Sequence, residues 1–97
     1  MTDRTSTRKE HSVNLGGKSV VLISGTTLTG GTDTLTMTLA DYGIRNVLAV
    51  EGFVHTTDYS VIVAESGTTA VSSGILTYTS AAGNNSKRRV VIVTGES

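Results

Sequence analysis

Between Asp33 and Ala40 the chain reads DTLTMTLA, so that Leu35, Met37 and Leu39 alternate with Thr34, Thr36 and Thr38. A period of two puts the three large apolar side chains on one face of a strand and the threonines on the other. A helix would scatter them around its circumference. A one-sided strand has to bury its apolar face against a second layer, which points to sheet packed on sheet.

The rest of the chain offers strands to build those layers. KSVVLIS (Lys18 to Ser24), a run from Arg45 to Phe53, YSVIVAE (Tyr59 to Glu65) and RRVVIVT (Arg88 to Thr94) are short apolar segments bounded by polar or Gly-containing stretches. Val71 and Ile75 to Thr79 read as one further strand, interrupted at Ser73-Gly74 by a bulge. Ala40 to Gly43 breaks the alternation and fits a single helical turn closed by a glycine at positive φ. The segment AGNNS, Ala82 to Ser86, is built from residues that tolerate left-handed turns. Seventeen threonines and eleven serines, with no proline, add a β-branched bias that favours sheet. Six or seven short strands without room for crossover helices predict an all-β fold, a small antiparallel sandwich or barrel.

Ninety-seven residues make one domain, read here as residues 18–97. Met1 to Gly17, polar and without period, is expected to be an extended N-terminal arm outside the core that orders on a neighbour. A domain of this size has thin stability. With no cysteine to cross-link it, association with other chains is the remaining source of support. Val20 to Ile23, Val61 to Ala64 and Val90 to Val93 are apolar at consecutive positions, so both faces of these strands ask for cover. The opposing sheet can cover only one. Val61, Val63, Val91 and Val93 are therefore the candidate subunit contacts.

Chemistry finds little foothold. SVNLGGKS, Ser12 to Ser19, ends like a phosphate-binding loop, but Ser12 stands where the first glycine is needed and the lysine leads into a strand. His11 and His55 lack the convergent ligands of a zinc site. The serines lack a nucleophile elbow, and the scattered carboxylates form no acid–base pair. The expectation is no catalytic residue, no metal and no cofactor. Eight basic and eight acidic residues leave no field to attract nucleic acid or an anionic membrane. No signal-like or spanning apolar run is present, so synthesis in a cytoplasm is expected.

The stretch GGTDTLTMTLADYGIRNVLAVEGF, Gly30 to Phe53, joins a Gly-Gly turn, an alternating Thr/Leu strand, a short turn ending in Gly and a hydrophobic strand. In this pattern and in size, residues 18–97 resemble head decoration proteins of tailed bacteriophages. The resemblance implies a β-sandwich or β-tulip-like domain that sits on the outside of the capsid, binds the major capsid protein and forms homotrimers. The virion would then be its location. It implies that the N-terminal arm touches the shell, with Arg4, Arg8, Lys9 and Lys18 as candidate contacts. Lys87, Arg88 and Arg89, the one basic run, are further candidates for an acidic patch on a protein partner. A tail or fibre component and a carbohydrate-binding sandwich are the alternatives.

Overall fold

The computed structural model describes residues 3–12, 17–26 and 29–96. Within them the alternating segment forms a strand, Thr34–Thr38, that buries Leu35 and Met37, and Leu39 is buried just beyond it. In chain order the strands are β1 (Thr5–Ser12), β2 (Gly17–Ser24), β3 (Thr34–Thr38), β4 (Asn46–Thr57), β5 (Val61–Glu65), β6 (Thr68–Ser72), β7 (Ile75–Thr79) and β8 (Arg88–Glu96). A 3-10 turn, Leu39–Tyr42, follows β3 and ends on Gly43 at φ 67°, as the break in alternation predicts.

Two antiparallel sheets stack to give the all-β sandwich that the sequence pattern predicts. The larger has the order β1-β2-β8-β4-β5 and the smaller β3-β7-β6. Their facing sides meet in a core of Val20, Leu22, Leu35, Met37, Leu39, Ile44, Leu76, Tyr78, Val91 and Val93. Each buried side chain of this kind contributes about 1.5–3 kcal/mol. Val91 and Val93, expected at a subunit contact, are fully buried here instead. β8 lies third of five strands, where the small sheet covers its inner face.

Three more expectations are revised. Residues 5–12 are not an arm outside the domain but the edge strand β1, paired with β2 from Thr5 opposite Ser24 to Ser12 opposite Lys18. TSTRKEHS contains no apolar residue, so no periodicity announces it. It is held by backbone pairing and by polar links to β3. The Arg4 amide donates to the Thr34 carbonyl (2.8 Å), and Arg8 Nε donates to the Thr36 carbonyl (2.9 Å). These links close the sandwich on the β1/β3 side. Residues 1, 2 and 13–16 of the expected arm lie outside the described residues.

Ser73-Gly74 is a hairpin turn joining β6 to β7 and not a bulge within one strand. Both residues have positive φ, 52° and 75°, and Ser72 pairs with Ile75 across it. That is the two-residue loop whose twist matches the flanking strands. Lastly, β4 runs on to Thr57, with bulges against β8 at Val47/Ala49 and against β5 at His55/Thr57.

Candidate protein-protein interface

The central strands of the larger sheet carry apolar residues on both faces, and the small sheet covers one. On the other face, strand register sets Val21 beside Ile92, Ile23 beside Val90, and Phe53 between Val90 and Ala64. These side chains are half-buried by one another, Ala64 excepted, and no strand among the described residues lies over them. Glu51, next to Ile92, is one charged neighbour of this patch; strand alternation puts Arg88 on the same face as Val90 and Ile92, and register sets Lys9 opposite Val21.

At one margin of the same sheet, β5 leaves its apolar side chains in solvent. Val61, Ile62 and Val63 are 48%, 51% and 43% exposed, and β5 pairs only with β4. Two of the four valines expected at subunit contacts, Val61 and Val63, are thus available. Val71 of β6 and Ile75 of β7 add exposed apolar surface on the small sheet.

Although solvated, β5 is fixed at both ends by the two neighbouring arginines of β8. Consecutive residues of a strand point to opposite faces, so Arg88 and Arg89 reach opposite sides of the sheet. Arg88 donates from Nε and Nη2 to the Asp58 carboxylate (3.2 and 3.3 Å) in the turn that leads into β5. These bonds, the largest cause, hold the guanidinium charged by raising its pKa. Arg88 also stacks 5.0 Å from the Tyr59 ring centroid. Tyr59 sits at φ 61°, meets His55 edge-on at 5.7 Å between ring centroids, and donates its backbone N–H to His55 Nδ1 (3.0 Å).

Arg89 points inward and donates to Glu65 Oε2 from Nε and Nη2 (3.1 and 2.9 Å) at the end of β5. It also donates to the carbonyls of Gly83, Asn84 and Lys87, and so shapes the loop before β8. Glu65 Oε1 accepts from the Tyr78 hydroxyl (2.9 Å). Burial, and then this bond to the carboxylate, push the Tyr78 pKa well above its ordinary value. The Tyr78 ring fits because Gly52 and Gly67 have no side chain. A Cβ on either would lie 2.3 Å from Oη or 2.4 Å from Cζ.

No family model, no curated protein and no solved structure matches this chain.

The basic candidates are dispersed. Arg4 binds Asp33 (3.0 Å), Arg8 lies 3.6 Å from Asp3, and Lys18 Nζ donates to the Tyr42 carbonyl (3.1 Å). Arg89, expected to meet a partner, has a fully buried side chain, and Arg88 is occupied by Asp58. The Lys9 backbone belongs to β1, and its side chain lies outside the described residues. Lys87 is exposed. Sequence reasoning missed Glu65 and Tyr78. Alternation along RRVVIVT was the available signal, since it puts Arg89 on the face of Val91 and Val93 and so demands a buried anion.

The surface carries shallow recesses. One of about 600 Å³ lies beside β4 and the β5–β6 link, and another of about 300 Å³ is bordered by His55, Asp58 and Lys87. Among the described residues no group of three or more His, Asp or Glu is placed to hold a metal ion, and no helix is long and apolar enough to cross a membrane.

Proposed function

We propose that this protein is a non-enzymatic structural component of a virion, seated on the outer surface of a phage capsid and bridging neighbouring major capsid subunits. One observation carries this reading. The larger sheet presents Val21, Ile23, Phe53, Val90 and Ile92 on a face that the small sheet leaves uncovered. Contiguous apolar surface of this kind marks a contact with another protein. The resemblance of residues 18–97 to head decoration proteins supplies the shell as partner. Many copies, each bridging two capsomers, would hold a shell firmly through individually modest contacts.

The test is co-sedimentation with empty capsid shells. Wild type is expected in the pellet. Ile92→Asp, which charges the uncovered face and leaves the core intact, is expected in the supernatant with an unchanged circular dichroism spectrum. Wild type that stays in the supernatant at tens of micromolar overturns the reading.

A second reading, a saccharide-binding module, draws on the 74% exposure of Tyr59. Rings of this kind serve as stacking platforms for sugars. Here Arg88 already takes part of the ring's π surface and His55 meets it edge-on, which favours the structural reading.

A further inference from the structure

We infer that two copies of this chain join through β5, edge to edge and antiparallel about a two-fold axis, so that their larger sheets become one continuous sheet. The inference uses a different surface from the shell-facing one and goes beyond the proposed function.

The two edges of the larger sheet are built to opposite rules. β1 is TSTRKEHS, polar throughout and carrying Arg8, Lys9 and Glu10, the composition with which proteins keep an edge unpaired. β5 is VIVAE, with no lysine, no proline and three consecutive large apolar side chains in solvent. Its outer backbone groups have no strand partner among the described residues. An edge of this kind is a template for another strand.

A second copy satisfies it best because β5 is self-complementary. With the axis at Val63, Val63 faces Val63 of the second copy, Ile62 faces Ala64, and Val61 faces Glu65. The central three residues carry no charge to repel their mates. Glu65, the one charged residue, is already compensated by Arg89 and hydrogen-bonded by Tyr78, so bringing two copies together adds no free anion. Fixing of β5 at Asp58 and Glu65 also means that little order has to be gained on pairing.

A five-residue ladder is about 17 Å long, roughly half of the 35 Å long axis of the molecule. An interface of this size falls in the weak class, and a dissociation constant on the order of micromolar is expected. The result is a pair, in place of the threefold cluster that the resemblance implies.

Light scattering over a wide concentration range tests the pairing in solution, without shells. Wild type is expected to pass from monomer to dimer, and Val63→Asp to stay monomeric with an unchanged circular dichroism spectrum. The chain has no cysteine, which makes disulfide trapping clean. Val63→Cys is expected to form an intermolecular disulfide at least ten-fold faster than Ser6→Cys on β1. A trimer, a monomer at every concentration, or equal trapping rates at the two positions would overturn the inference. Because shell binding is read separately with Ile92→Asp, either idea can fail without the other.

Discussion

The Arg89 guanidinium lies 2.9 Å from Glu65 Oε2 with both side chains out of water, 0% and 4% exposed. Breaking a buried pair by removing one partner strands a charge and costs about 3–5 kcal/mol. Domains of this size have only about 5–15 kcal/mol in total. Glu65→Gln and Arg89→Met are both expected to move the urea midpoint sharply down. Replacing both residues by leucine should not restore stability, because the carbonyls of Gly83, Asn84 and Lys87 lose their donor as well.

Gly67→Ala is expected to cost about 1–3 kcal/mol in the same assay, since the new methyl would press on the Tyr78 ring and on the Thr79 carbonyl. Gly52→Ala meets the Tyr78 hydroxyl first. Its cost should therefore shrink in a Tyr78→Phe background, with a coupling above about 0.5 kcal/mol in a double-mutant cycle.

Stability should fall at both ends of the pH scale, for different reasons. The Thr29 amide and then Arg4 hold the Asp33 carboxyl below its ordinary value. Its contribution is present above the unfolded value, near pH 4, and lost as pH falls through the lower folded value. Asp3 shifts the same way: burial pushes it up, but hydrogen bonds from Thr36 and Thr5 outweigh that. Tyr78 is the reverse case. Above its ordinary pKa of 10.0 the unfolded chain loses this proton while the folded chain keeps it, so stability declines as pH rises. Denaturation midpoints measured from pH 3 to 11 should show Asp33→Asn with a shallower acid limb and Tyr78→Phe with a shallower alkaline one.

Ser73→Asn should raise stability. Ser73 holds φ 52° in the β6–β7 turn, a conformation asparagine tolerates better than serine. A gain of about 0.5 kcal/mol, or roughly 2–4 °C in Tm for a domain of this size, is expected by calorimetry.

Strands with an apolar period are legible in the sequence. β3 announced Leu35, Met37 and Leu39 as core, and the turns at Gly43 and around Asn84 followed from residue type. What stayed hidden has physical causes. β1 has no apolar side chain to generate a period, so its pairing with β2 depends on backbone groups common to every residue. VIVAE and VVIVT look alike, yet Val63 is solvated and Val91 is buried, because depth depends on strand order within the sheet. Arg89 sits in the run Lys87-Arg88-Arg89, which resembles a solvated charged edge. Its burial is decided by Glu65, 24 residues away in sequence.

A sheet with one guarded edge and one bare edge has a limited capacity to grow. If both edges were open, copies would add head to tail without end and run into fibrils. In the pairing inferred through β5, the first contact would use up the bare edge of each partner and leave only the charged β1 strands at the rims, so assembly by this route would be self-terminating. Such a restraint would let the chain accumulate at high concentration without forming fibrils.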